Sequence, residues 1–342
     1  MNRVLLNTLY VLQGGGYVKL DHETVVIEQD KTRVGKIPLL HLGAIMVRDD
    51  VMVSPGLLRA CSERGMAFCW LDRRGRFIGA LRGPATGNVL LRLAQHDTYR
   101  DRAAQVELAR CVVAGKVKNA RNTLVRRARE ASGQERAIID KQRASVDALV
   151  YSIHKAEGLD ELRGLEGMAA RLYFGAFNAI VAGTGFDFEG RSRRPPRDPF
   201  NAVLSFLYTL LSADCAAALE GVGLDPQVGF LHEVRPGRPS CALDLAEEFR
   251  SALVDRLVFA LINRRQIHPE RDFEARPGGA VYLNERGRKT VLAEYQKRKQ
   301  NPIRHALFEE PMAFGLVPHV QARLLARTLR RDTPTYMPFE YT

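Results

Sequence analysis

The sequence predicts an α+β protein in which a small β-rich amino-terminal domain is followed by a larger, all-helical domain. Three observations predict it. Residues 9–81 run as short apolar or alternating segments broken by glycine and charged turns, a period of two. Turn formers then cluster at Gly83-Pro-Ala-Thr-Gly-Asn88, and beyond them leucine, alanine and charge recur at helical spacing almost to the end. The 342 residues, 46% of them apolar, are long enough for two domains with cores of their own.

In order, the strand candidates are Leu9–Leu12, Tyr17–Leu20, Thr24–Glu28, Ile37–Leu40, Ala44–Val47, Ala67–Leu71 and Arg76–Leu81. Their spacing suggests sequential hairpins, with Gly14-Gly-Gly16 as one hairpin turn. A helix from Pro55 to Arg64, with Ser54 as its N-cap, separates the later strands. This domain is taken as 1–84. Helices are expected near 88–130, 135–157, 161–182, 199–221, 242–268, 286–299 and 317–331, giving a helical domain over 88–331. Gly190-Arg-Ser-Arg-Arg-Pro-Pro-Arg-Asp-Pro199 reads as a basic, proline-rich loop, and 332–342 as a loose tail.

Lysine and arginine number 51 against 39 acids, a formal charge of +12 with pI near 9.7. That balance favours a polyanionic partner, nucleic acid first and an anionic membrane surface second. Five cysteines without a CxxC pair read as small core residues in a reducing compartment. The first ten residues lack a signal-peptide pattern, and the longest charge-poor apolar run, about Phe200 to Ala213, is shorter than the ~20 residues that span a bilayer. A cytoplasmic protein with no membrane partner is expected. Walker loops, HExxH pairs and G-x-S-x-G elbows are absent.

Two places hold acids that suit chemistry. Glu166 edges an apolar helix face made by Leu162, Leu165, Ala169 and Leu172, beside the small residues Gly164, Gly167 and Ala170. A half-desolvated carboxylate there needs a cation or donor, although an ordinary helix-flank glutamate is the plainer reading of this segment alone. The second place joins His232, after the apolar run Val228-Gly-Phe-Leu231, to Asp244, Glu247 and Glu248 on the following helix. Two oxygen ligands and one imidazole suit Mg²⁺ or Mn²⁺, while acids early in a helix also complement its dipole without any metal. Basic side chains cluster at Lys116, Lys118, Arg121, Arg126, Arg127 and Arg129. Two further clusters are Arg191, Arg193, Arg194 and Arg197, then Arg286, Arg288, Lys289, Lys297, Arg298 and Lys299. Each suits phosphate contacts or, equally, a solvated face.

Four motifs in fixed order then resemble one family across nearly the whole chain. They are Leu165-Glu-Gly-Met-Ala-Ala-Arg-Leu-Tyr-Phe174, Asp198-Pro-Phe-Asn-Ala-Val-Leu-Ser-Phe-Leu-Tyr208, Gly229-Phe-Leu-His232 and Leu243-Asp-Leu-Ala-Glu-Glu-Phe-Arg250. The sequence is similar to the large, metal-dependent integrase subunit of CRISPR adaptation. The resemblance implies a metal site for Mg²⁺ or Mn²⁺ made by Glu166, His232 and Asp244. Glu247 would complete the catalytic set as a further acid beside it, a position where many members carry aspartate. Asp198 and Asn201 match a helix-start motif read as structural, Asp198 capping and Asn201 tying neighbouring helices.

The resemblance further implies homodimers through the β-rich domain, a small companion subunit, and DNA held by basic helical surfaces. Lys118, Arg121, Arg126, Arg193, Arg194, Arg288 and Lys289 are the candidates for that contact. The implied reaction is spacer acquisition in antiviral defence: the 3′-hydroxyl of a captured DNA fragment attacks a phosphodiester at the CRISPR repeat. A metal-dependent nuclease without integrase activity and a non-catalytic DNA-binding scaffold are the alternatives.

Overall fold

Branched and aromatic side chains alternating with polar ones build β1 (Thr8–Val11), β2 (Tyr17–Asp21), β3 (Thr24–Gln29), β4 (Thr32–Pro38), β5 (Ala44–Arg48) and β6 (Met52–Val53). Then come α1 (Pro55–Glu63), β7 (Ala67–Leu71) and β8 (Phe77–Ala80). The fold is that of a computed structural model, which describes residues 8–11, 13–72, 77–81, 89–308 and 311–341, with Phe77 described by its backbone alone. Ser54 caps α1 as expected, its Oγ accepting from Leu57 N at 3.2 Å, with Pro55 in the first turn.

The strands form two four-stranded sheets in the orders β1-β5-β7-β8 and β4-β3-β2-β6. The expected succession of hairpins holds for β2-β3-β4 and for β7-β8, but β1, β5 and β7 run parallel. A parallel pair needs a long crossover, and α1 supplies it between β5 and β7. Gly14-Gly-Gly16 therefore turns the chain between strands of different sheets and closes no hairpin. The strand expected at Ile37–Leu40 ends at Pro38, after which Leu39–His41 makes a 3₁₀ turn. Val18, Val25, Ile45, Val47, Leu57 and Phe68 form the core of this unit.

The chain divides into two compact units, Met1–Gly87 and Asn88–Thr342. The turn cluster Gly83–Asn88 lies outside the described residues. In the second unit the expected long helix 88–130 is two, α2 (Val89–Arg100) and α3 (Arg102–Glu130), because the Asp101 carboxylate accepts from Ala103 N and Ala104 N and starts a new helix. After α4 (Gly133–Lys155), the expected helix 161–182 splits at Gly175 into α5 (Leu159–Phe174) and the single turn α6 (Phe177–Ile180).

α7 (Pro199–Val222) begins at the Asp198 cap and ends at left-handed Gly223, φ 92°. It is longer than the apolar run read from sequence and, with mean hydropathy 1.7, is long and apolar enough by length and composition to cross a membrane. Phe200 to Leu204 are nonetheless buried without a break, and over half of the apolar stretch is buried inside the protein, as in a core helix. Asn201, expected to tie helices, instead ties the preceding loop to α7. Its Nδ2 donates to Gly190 O, and its Oδ1 accepts from Ser192 N and Arg191 Nη1.

The segment expected as one helix over 242–268 is α8 (Ser240–Phe249), a π-helical stretch Arg250–Asp255, and α9 (Arg256–Asn263). The second unit is helical in bulk but carries two small ladders. One is the hairpin of β9 (Phe273–Arg276) and β10 (Ala280–Leu283), turned by Gly278 and Gly279 at φ 86° and 76°. Following α10 (Glu285–Gln300), β11 (Pro302–Ile303) pairs with β12 (Met312–Ala313) before α11 (Val317–Leu329).

The end of the chain corrects the expectation of a loose tail over 332–342. Tyr336 and Phe339 are buried, Tyr336 Oη donates to Glu248 Oε1 at 2.5 Å, and Phe339 N donates to Glu248 Oε2 at 2.7 Å. Asn119 on α3 holds the same segment, donating to Phe339 O and accepting from Tyr341 N. Aromatic burial and a waiting buried carboxylate turn the tail into a strap.

Candidate active site

Three helices of the second unit meet at one ammonium. α3 presents Lys116 from its buried stripe, Val113, Val117 and Ala120. Lys116 Nζ donates to Glu166 Oε1 of α5, and lies 2.7 Å from Glu247 Oε2 of α8. The other oxygen, Glu247 Oε1, faces Arg250 Nε at 3.1 Å and His232 Nε2 at 3.7 Å. Glu166 is on the edge of its helix as read from sequence, beside Gly164 and Gly167, where an added Cβ would meet open space.

Asp244 stands apart from this convergence. Its Oδ2 accepts from Phe230 N (2.6 Å) and Leu231 N (3.0 Å), and its Oδ1 from His232 N (2.9 Å), with His232 Nδ1 2.6 Å away. Four polar contacts engage both oxygens, so Asp244 shapes the loop and orients the imidazole, and Nε2 is left facing Glu247. The loop approaches so closely that a Cβ on Gly229 would sit 2.8 Å from Asp244 Oδ2 and 2.5 Å from the Ser240 carbonyl carbon. In this geometry Asp244, expected as a ligand, anchors the loop, and Glu247, expected beside the site, occupies the centre of the cluster.

Burial pushes the Glu247 carboxyl up, but Arg250, Lys116 and His232 outweigh it and hold it at about 2. Burial likewise works against the charged form of Lys116, yet Glu247 and Glu166 raise it above the usual lysine range. Glu248, the next residue along α8, faces the strap instead, where burial lifts it to about 7 despite donors from Tyr336, Phe339 N and Gln321. Past the π-helical stretch, Asp255 accepts from Tyr208 Oη (2.6 Å) and Tyr173 Oη (3.0 Å), and burial raises it to about 6. Arg250 lies over the Tyr208 ring at 4.6 Å, joining this pair to the site.

The donor set fits a hard or borderline divalent cation: carboxylates from two helices and an imidazole nitrogen fixed by its other nitrogen. Glu247 Oε2 is buried and, although ion-paired with Lys116, makes no aligned hydrogen bond. Among the described residues, no three His, Cys, Asp or Glu side chains are gathered into a ready cage, since the ammonium stands between the two glutamates. A separate cleft of about 660 Å³, between α2, α3, α11 and the strap, contains none of these residues.

The basic residues sort into two groups. Arg193, Arg194 and Lys289 are exposed; Lys118 lies 3.7 Å from Glu340, Arg121 pairs with Asp147 at 2.7 Å, Arg126 with Glu130 at 3.3 Å, and Arg288 donates to Leu283 O. Four others are structural or in the site: Lys116, Arg127 against Phe259, Arg191 bonded to Asn201, and Lys299 paired with Asp214. Lys116 and Arg250 are the site residues that sequence reasoning missed. Lys116 shares a helical face with Val113 and Ala120, and a cation inside an apolar stripe was the available signal.

Comparison with known proteins bears on this geometry. A family model described as CRISPR associated protein Cas1 matches residues 9–297. A CRISPR-associated endonuclease Cas1 of Moorella thermoacetica is 46% identical over 342 residues, covering 99% of each chain. Among solved structures, a Cas1 protein from Thermotoga maritima superposes with a TM-score of 0.80 at 25% identity, over 95% of this chain and 97% of that one. A casposase bound to integration product shares the fold with a TM-score of 0.83 at 22% identity, over 98% of this chain and 95% of the other.

Proposed function

The chain belongs to the Cas1 family of CRISPR-associated proteins, and from that membership we propose that it is a divalent-metal-dependent DNA endonuclease and integrase of CRISPR adaptation. The observation that carries the proposal is the meeting of Glu166 and Glu247, from two distant helices, on one cation, with His232 Nε2 turned toward the same carboxylate. Glu166, His232 and Glu247 are the residues that would hold Mg²⁺ or Mn²⁺. When bound, the ion supplies Lewis acidity, neutralising phosphodiester charge and lowering the pKa of the attacking oxygen.

The chain's own residues do the rest. Asp244 fixes the imidazole so that Nε2 faces the site. Arg250 and Lys116 keep Glu247 ionised at any physiological pH and add positive charge where a phosphate would sit. The bare helix surface at Gly164 and Gly167 admits a sugar-phosphate backbone close to Glu166. Exposed Arg193, Arg194 and Lys289, with Lys118, Arg121, Arg126 and Arg288, are proposed to position duplex phosphates without reading sequence. The 3′-hydroxyl of a captured fragment is the proposed nucleophile, the repeat border the target, and holding both strands in line contributes as much as charge. A homodimer formed through the first unit and a small companion subunit complete the proposed assembly.

Strand joining into supercoiled repeat DNA tests the reading, with fragment binding measured in parallel. Glu166→Ala and Glu247→Ala are expected to lose joining by more than about a hundredfold and to keep DNA affinity within about threefold. Matching losses of binding would assign both acids a structural role. Cleavage without any joining by the wild type would favour a plain nuclease.

A further inference from the structure

We infer that Lys116 is an internal counter-cation of the acidic site, which holds Glu166 and Glu247 together while no divalent ion is bound and competes with that ion for the same oxygens. The inference rests on the metal-site reading above and deepens it. Three observations carry it. The Lys116 side chain is only 17% exposed, on the buried face of α3, where an ammonium loses most of its hydration. Its charge is met by two carboxylates, one from α5 and one from α8, so a single cation ties three helices. Glu247 Oε2, buried, receives from Lys116 charge compensation without an aligned hydrogen bond, which leaves that oxygen able to take another cation.

The physical consequence is a competition with a definite sign. Without Lys116, the Glu166 carboxylate would lose its counter-ion and Glu247 would keep only Arg250 and His232, leaving the two acids to repel each other. The ammonium removes that repulsion in the metal-free protein. A divalent ion bound by the same two carboxylates brings a second positive charge against the ammonium, so the two compete for those oxygens. The four-carbon stem of lysine lets the ammonium withdraw without moving α3. Lys116 is in this account a positioning residue: it acts through the two carboxylates, lowering metal affinity in exchange for an assembled metal-free site.

Calorimetric titration of Mn²⁺ into the full, EDTA-stripped chain tests this without any reaction being run. Lys116→Met is expected to bind Mn²⁺ about tenfold more tightly than the wild type. Its metal-free form should melt at a lower temperature than the wild type, with the gap narrowing in excess Mn²⁺. Lys116→Gln keeps an N–H donor without the charge and is expected to behave alike, so it carries the test if the Met variant fails to fold. Lys116→Arg keeps the charge and should stay within about twofold of the wild type. A purely structural lysine gives the opposite sign. Unchanged or weaker Mn²⁺ binding by the Met and Gln variants, with wild-type binding lost in Glu166→Gln, overturns this inference and leaves the metal site standing. Absence of Mn²⁺ binding by the wild type overturns both.

Discussion

Two acids three residues apart on α8 have different work, and hydrogen bonding separates them. Asp244 is spent on Phe230 N, Leu231 N and both polar groups of His232, whereas Glu247 meets cations from α3 and from the helix beyond it. From sequence both lay on one helical face and either suited a ligand; the choice depends on how closely the Gly229–His232 loop folds over α8, a tertiary fact without a local signature. Glycine at 229 was the available hint, because any side chain there would strike the Asp244 carboxylate. Asp244→Ala should therefore destabilise the protein by about 3 kcal/mol or more, stranding buried backbone donors. Glu166→Gln, on a quarter-exposed side chain, should cost less than about 1 kcal/mol. Urea denaturation of both variants checks this, and equal stabilities would remove Asp244 from its role as the loop's anchor.

At the scale of elements, α8, the π-helical stretch and the strap form one device. Arg250 meets Glu247 at the ordinary i,i+3 helical spacing, and after the wider π-helical turn Asp255 meets Tyr173 and Tyr208. Helical periodicity over 242–268 was legible, but the change of pitch within it was not, since the apolar pattern continues through both. The β9-β10 hairpin escaped for a related reason: four-residue strands between long helices carry too little pattern to stand out. The strap escaped because a short polar-aromatic end resembles a free terminus until a partner is seen, here Glu248 with Asn119 and Gln321. Ending the chain after Asp332 should destabilise the second unit by about 5 kcal/mol, from two lost aromatic anchors and a stranded buried acid. A melting temperature within a degree or two of the full chain would show the strap to be ornamental.

Across the whole molecule, a sheet-rich first unit and a helical second one follow directly from the switch of period near residue 84, and every residue of the candidate site lies in the second. Legible in the sequence were the two-unit division of the pattern and the caps at Ser54 and Asp198, while the grouping of Glu166 with His232 rested on the family resemblance. Its parallel strands, the largely buried α7 and the central lysine depended on contacts between distant segments. Glu166, Glu247 and His232 are proposed to share a divalent ion, with Asp244 behind the imidazole. Anomalous scattering from crystals soaked in Mn²⁺ reads that claim directly. A peak about 2.0–2.4 Å from carboxylate oxygens of Glu166 and Glu247 and from His232 Nε2, with both Asp244 oxygens outside the coordination sphere, is the expected result. A peak ligated by Asp244 in place of Glu247, or no peak between α5 and α8, would contradict it.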